Sequence, residues 1–172
     1  KALEYSGKSL DISLEIYGES HPYVAASYNN IGSVYKGLGE YAKALEYHEK
    51  SLTIRLEIYG ESHPDVATSY NNIGLVYASL GEYAKSLEYN EKSLDIRLEI
   101  YGESHPDVAT SYTNIGSVYY SLGEYAKSLE YYEKGLRRGR RTSGWLLFSS
   151  QTFIWLFMKM KVILTWFGRK KQ

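Results

Sequence analysis

The chain has no cysteine, which excludes disulfides, thiol catalysis and any zinc site built on thiolates. That absence suits a reducing compartment, and a cytoplasmic protein is the expectation. Proline occurs only three times in 172 residues, each time directly after a histidine: His21-Pro22, His63-Pro64 and His105-Pro106. Tryptophan, phenylalanine and methionine are missing from residues 1–134, and acidic residues are missing from 135–172. A formal net charge of zero therefore hides two kinds of sequence. Residues 1–134 carry all 20 acidic groups against 11 basic ones, a net charge of −9, while 135–172 carry nine basic groups and no acidic ones. A body that acidic repels phosphate, so nucleic acid is not the expected partner. There is no nucleophile–base–orienter set, phosphate-cradling loop or paired-carboxylate cleft. The expectation is a chain with no catalytic residue, no cofactor and no metal.

What is present is a period. The three His-Pro pairs recur every 42 residues, and Pro22–His63 and Pro64–His105 differ at only eight positions. A third copy starts at Pro106 and follows the second through Lys134 with four changes. A period of that size marks a stacked array, in which each unit buries its apolar face against the next. Within one unit, Val66, Tyr70, Ile73, Gly74, Tyr77 and Leu80 fall at spacings that share one helical face. Pro64 suits the first helical position and Asp65 the positive end of the helix. Leu80-Gly81-Glu82 closes that helix, since glycine takes left-handed angles cheaply. The second helix carries Tyr83, Leu87, Leu94, Leu98 and Tyr101 on one stripe, with Glu88 and Lys92 paired on its wet side. Gly32, Gly74 and Gly116 lie mid-helix at a cost of about 1 kcal/mol each against alanine. A cost repeated in every copy points to a close neighbour.

The order Tyr-Asn-Asn-Ile-Gly, then Tyr, then Gly-Glu-Tyr, then Ala/Ser-Leu resembles the tetratricopeptide repeat. The usual unit has about 34 residues; this one is eight longer and is similar to the repeats of kinesin light chains. One departure is that Tyr28, Tyr70 or Tyr112 stands where the family has a bulky aromatic such as tryptophan. The resemblance covers about 1–134. It implies an all-α fold, a right-handed superhelical solenoid of helical hairpins, with the first helix of each pair on the inner, concave side. The expected division is 1–21, the second helix of a truncated unit; 22–63, 64–105 and 106–136, three units of which the last has a cut-short second helix; and 137–172, a basic aromatic tail. Lys1-Ala2-Leu3-Glu4-Tyr5 matches Lys43-Ala44-Leu45-Glu46-Tyr47, so the chain is expected to be a fragment of a longer array.

The near-identical copies disagree in a pattern. In the first helix the differences fall at Ala26/Thr68/Thr110, Asn29/Asn71/Thr113, Ser33/Leu75/Ser117, Lys36/Ala78/Tyr120 and Gly37/Ser79/Ser121, a single stripe opposite much of the core face. In tetratricopeptide arrays that stripe faces the groove, so the resemblance implies a protein or peptide ligand there. Asn30, Asn72 and Asn114 recur in every copy; by the same resemblance they hydrogen-bond a ligand backbone, the alternative being a bond between neighbouring helices. The expected groove set is therefore Asn29, Asn30, Ser33, Lys36, Thr68, Asn71, Asn72, Leu75, Ala78, Thr110, Thr113, Asn114, Ser117 and Tyr120. Drift at exposed positions is the competing account. Lys36 is the only cation on the stripe, too few for a clamp on a terminal carboxylate.

Histidine offers little chemistry. His21, His63 and His105 lie a whole unit apart, whereas zinc ligands sit about 2 Å from one ion. They are read as marking helix starts. His48 is replaced by Asn90 and Tyr132 in the other copies, which argues against catalysis.

The tail has three readings. Residues 145–167 are mostly apolar between Arg137-Arg138-Gly139-Arg140-Arg141 and Arg169-Lys170-Lys171, long enough for a membrane anchor, though Lys159 and Lys161 interrupt it at roughly 2.5–3.5 kcal/mol each. A basic aromatic helix on a membrane surface, or one capping the array, is the second. The third is a frame shift or read-through: Thr142-Ser143-Gly144-Trp145 permits codons that spell His-Pro-Asp in another frame, close to where a fourth unit is due.

Overall fold

The computed structural model of the chain describes residues 1–142. They form seven α-helices: α1 (Ala2–Tyr17), α2 (Pro22–Gly37), α3 (Tyr41–Tyr59), α4 (Pro64–Leu80), α5 (Tyr83–Tyr101), α6 (Pro106–Ser121) and α7 (Tyr125–Thr142). Helices α2, α4 and α6 each pack most closely on the helix that follows, giving three hairpins, and each also packs on the helix before it. The glycine turns take the expected shape: Gly39, Gly81 and Gly123 have φ of 78°, 77° and 77°, a left-handed conformation that only glycine adopts freely. Helix α7 continues to Thr142, past residue 136 where the pattern of the third unit gives out; Leu136, Arg137 and Arg138 are all good helix formers.

Each first helix begins on its proline, and the preceding histidine caps it. His21, His63 and His105 have extended backbones, and Nδ1 of each accepts the N–H two residues on, at 3.2, 3.1 and 3.2 Å. This is the place usually taken by Ser, Thr, Asp or Asn. Each ring also stacks on the tyrosine that ends the previous helix: Tyr17 at 4.2 Å, Tyr59 at 3.9 Å and Tyr101 at 4.0 Å between ring centroids. The His-Pro pair thus joins the cap of one helix to the tail of another.

The core sits where three helices meet. Val24 and Ala25 of α2 and Ile54 of α3 are buried together with Leu10 and Leu14 of α1 packed against them. At the far end Leu94 of α5 joins Val108, Tyr112 and Ile115 of α6, with Tyr131 of α7 alongside. Each such Val, Leu or Ile contributes about 1.5–3 kcal/mol on burial. Leu80, placed on the apolar face by its spacing, is 41% exposed because it lies at the last turn of α4.

The mid-helix glycines have the close neighbour their cost implies. A Cβ at Gly32 would lie 2.9 Å from His48 Cε1, one at Gly74 2.8 Å from Asn90 Nδ2, and one at Gly116 2.9 Å from Tyr132 Cδ1. In all three the intruder is the second helix of the same hairpin. Between hairpins a buried arginine reaches across. Arg55 Nη1 donates to the Asp65 carbonyl and to Ser69 Oγ, both at 2.9 Å. Arg97 repeats this with the Asp107 carbonyl at 3.2 Å and Ser111 Oγ at 2.8 Å. Burial pulls both guanidinium groups below their ordinary pKa, offset in part by Asp65 and Asp107.

The outer surface carries the ion pairs expected of it, including Glu88–Lys92 at 2.7 Å, each worth a few tenths of a kcal/mol. Among the described helices none is long and apolar enough to cross a membrane. Residues 145–167, with their anchor, surface-helix, cap and read-through readings, lie outside the described residues.

Candidate functional site

Two sets of contacts tell the inner side from the outer. The backbones of α2 and α4, and of α4 and α6, come within 8 Å of each other, whereas among the described residues no two of α1, α3, α5 and α7 do. The shorter path therefore runs along the first helices, and α2, α4 and α6 line the inner face of the stack.

On that face Asn30 and Ser33 of α2 are exposed, and Asn29 and Lys36 are half-buried. On α4, Thr68, Asn72, Leu75 and Ala78 are half-buried, while Asn71 is buried. On α6, Thr110, Thr113, Ser117 and Tyr120 are exposed and Asn114 is half-buried. All belong to the stripe read from the copies, but they are not equally free. Asn72 Nδ2 donates to Asn29 Oδ1 at 2.8 Å, and Asn114 Nδ2 donates to Asn71 Oδ1 at 2.7 Å. Each junction between first helices therefore has one amide–amide rung. The carboxamide of Asn71 lies within that seam. Asn72 and Asn114 keep Oδ1 and a second N–H for any ligand.

The hydroxyls are also partly committed. Thr68 and Thr110 donate to the carbonyls of Pro64 and Pro106, and Ser33, Thr113 and Ser117 to those of Asn29, Ala109 and Thr113. A hydroxyl that has given its proton to its own helix meets a ligand chiefly as an acceptor.

Between the first two hairpins this face deepens into a cavity of about 320 Å³ lined by Ser33, Lys36, Gly37, His48 and Asn72. Four of the five, all but Asn72, stand at positions where the copies differ. His48 is 1% exposed, and its Nδ1 lies 3.2 Å from Asn29 Oδ1. Because that oxygen can only accept, the hydrogen bond assigns the ring proton to Nδ1. Burial, then the nearby charges of Lys36 and Arg55, lower the His48 pKa to about 4. The ring is therefore neutral near pH 7. His48 was set aside on sequence as a position variable among copies; the available signal was that it faces the glycine kept in all three.

Among the described residues no group of three or more His, Asp or Glu side chains is placed to hold a metal ion. His21, His63 and His105 are each engaged in a helix cap.

Comparison with known proteins follows the same lines. The tetratricopeptide repeat family pattern matches residues 1–57, 25–99 and 65–141. Among curated proteins there is no match. Among solved structures, BtubC (BKLC) from P. vanneervenii is similar at 26% identity and a TM-score of 0.74, over 87% of this chain and 59% of that one. The nearly identical TPR-like repeats of a candidate kinesin light chain from Podosopora anserina align at 20% identity and a TM-score of 0.69, over 82% of this chain and 67% of that one. A Rap protein solved in complex with Competence and Sporulation Factor aligns at 20% identity and a TM-score of 0.70, over 80% and 37%. The chain thus spans 59% of BtubC and about two-fifths of the Rap protein.

Proposed function

Because the chain belongs to the tetratricopeptide repeat family, whose repeats serve protein–protein interaction, we propose that it is a non-catalytic scaffold holding an extended segment of a partner protein along α2, α4 and α6. The observation that carries this is the cavity: Ser33, Lys36 and Gly37, three positions at which otherwise near-identical copies diverge, meet at one concavity on the inner face. Drift at exposed sites has no reason to converge there. Leu75 and Tyr120, the latter 54% exposed, add apolar contact farther along. A segment bound over this length reaches about micromolar affinity, roughly 8 kcal/mol.

The test uses residues the scaffold already accepts. Lys36→Ala, Leu75→Ser and Tyr120→Ala each install the side chain found at the same place in another copy. Applied to an array of degenerate decapeptides, the intact chain should bind a subset. Each change should alter that subset while helicity and melting stay constant. Thr53→Asp, the equivalent exchange on the outer side, should alter nothing. Binding that responded to Thr53→Asp but not to the inner changes would overturn the proposal, as would the absence of any peptide binding.

A further inference from the structure

The cavity between α2, α3 and α4 has a hydrogen-bonding signature that goes beyond being a groove. Its polar groups can be assigned one by one. Ser33 Oγ has given its proton to the Asn29 carbonyl at 3.0 Å and remains as an acceptor. Asn72 has one N–H on Asn29 Oδ1, leaving Oδ1 and its other proton. His48 holds its proton on Nδ1 against Asn29, so Nε2 has only a lone pair, with no hydrogen-bond partner among the described residues. Lys36 brings three N–H donors and a positive charge, and none of the ion pairs within 4 Å among the described residues involves it. The lining therefore presents acceptors from three residues beside one strong donor.

That arrangement discriminates between side chains by charge and by count. A carboxylate would satisfy Lys36 but set its lone pairs against His48 Nε2 and Asn72 Oδ1. An ammonium or guanidinium would satisfy the acceptors but meet the charge of Lys36. An aliphatic group would displace water from His48 Nε2 and Asn72 Oδ1 and give them no hydrogen bond in return. A carboxamide fits both halves: its oxygen accepts from Lys36, and its two N–H groups donate to His48 Nε2 and to Asn72 Oδ1 or Ser33 Oγ. We infer that this cavity is a specificity pocket for an asparagine or glutamine side chain of the bound segment; the inference rests on the groove function proposed above.

The other copies show why the pocket is confined to this junction. At the position of His48 the third unit has Tyr132, whose hydroxyl lies 3.0 Å from Ser117 Oγ, the counterpart of Ser33. The second has Asn90, which turns its amide to Ser86 at 2.8 Å, with Ala78 in place of the lysine. His48 and Lys36 occur together once.

The probe is a positional-scanning library of biotinylated decapeptides, with one residue fixed per well and the rest degenerate, applied to the full chain. At one position, wells fixing Gln or Asn should exceed those fixing Glu, Lys or Ala by about tenfold, the effect of one or two net hydrogen bonds. His48→Tyr, copying the third unit, should abolish the preference, and Lys36→Ala, copying the second, should reduce it several-fold. Circular dichroism and melting should show both variants folded. A preference for Asp or Glu, a carboxamide preference that survives His48→Tyr, or binding blocked by backbone N-methylation without side-chain preference would each overturn the pocket while leaving the groove intact. Absence of binding in every well would overturn the groove and the pocket together.

Discussion

Alanine in place of glycine should have opposite signs at two helical positions, and the structure says which. At Gly7 of α1 a Cβ would meet nothing within 4 Å, so Gly7→Ala should stabilise the chain by about 1 kcal/mol through propensity and reduced unfolded-state freedom. At Gly32 the same methyl would sit 2.9 Å from both Cε1 and Nδ1 of His48 and 3.0 Å from Cδ2. Ordinary carbon contacts are about 3.5–4.0 Å, so the ring must retreat by roughly 0.7 Å. It has little room, being 1% exposed. Retreat from α2 also lengthens its 3.2 Å bond to Asn29. Overpacking costs about 1–3 kcal/mol and the hydrogen bond about 1 more, against a propensity gain of about 1. The expected net is a destabilisation of about 1–3 kcal/mol, or some 2–4 °C in melting temperature for each kcal/mol in a chain of this size. Urea titration of the full chain, followed by circular dichroism, measures both variants. Combining Gly32→Ala with His48→Ala removes the collision, so the pair should show a favourable coupling of about 1 kcal/mol or more. A Gly32→Ala variant as stable as Gly7→Ala would refute the argument.

Two further outcomes follow from other contacts. Arg97→Ala removes a buried guanidinium whose Nη1 serves the Asp107 carbonyl and Ser111 Oγ; hydrogen bonds to a charged group are worth about 1.5–3 kcal/mol. Loss of roughly 3 kcal/mol is expected, concentrated at the α5–α6 junction and visible as faster amide exchange there. His48 gives a pH dependence: its pKa is about 4 when folded and about 6.5 when unfolded. The unfolded chain therefore binds the extra proton between those values. Stability is full above pH 6.5, falls as pH drops towards about 4 and levels below, by on the order of 3 kcal/mol. Replacing His48 with Asn, the residue of the second unit, should flatten that part of the urea-midpoint profile between pH 7 and 4. An unchanged profile would show that the ring is not held neutral by burial.

The helices, their order and their turns were legible because repetition restates them: Val24, Val66 and Val108 are each 0% exposed, as one periodic reading requires. The stripe of Ser33, Lys36, Leu75 and Tyr120 was legible for the same reason in reverse, since divergence stands out against sameness. What sequence did not reveal depends on reach across space. Arg55 and Arg97 look like wet-side cations by type, yet each is 7% exposed and bonds to the next hairpin. The one hint was that an arginine keeps step with a serine 14 residues later, Ser69 or Ser111. The histidine caps were hidden because a His before a proline gives no sign of where its ring turns. For Asn72 the sequence left two readings, a ligand contact or a bond between neighbouring helices, and the spacing of α2 and α4 places one of its protons on Asn29.

Because no two second helices bring their backbones within 8 Å of each other among the described residues, the outer rim can spread or close like the ribs of a fan with little strain on the backbones of those helices. Resistance to such bending comes from the seam between hairpins, where Arg55 and Arg97 reach into the next unit, and from the amide rung that joins neighbouring first helices. A guest that wedges slightly wider than the resting gap would thus be accommodated by a small change in pitch shared along the whole spiral, which gives the array the mechanical character of a soft spring.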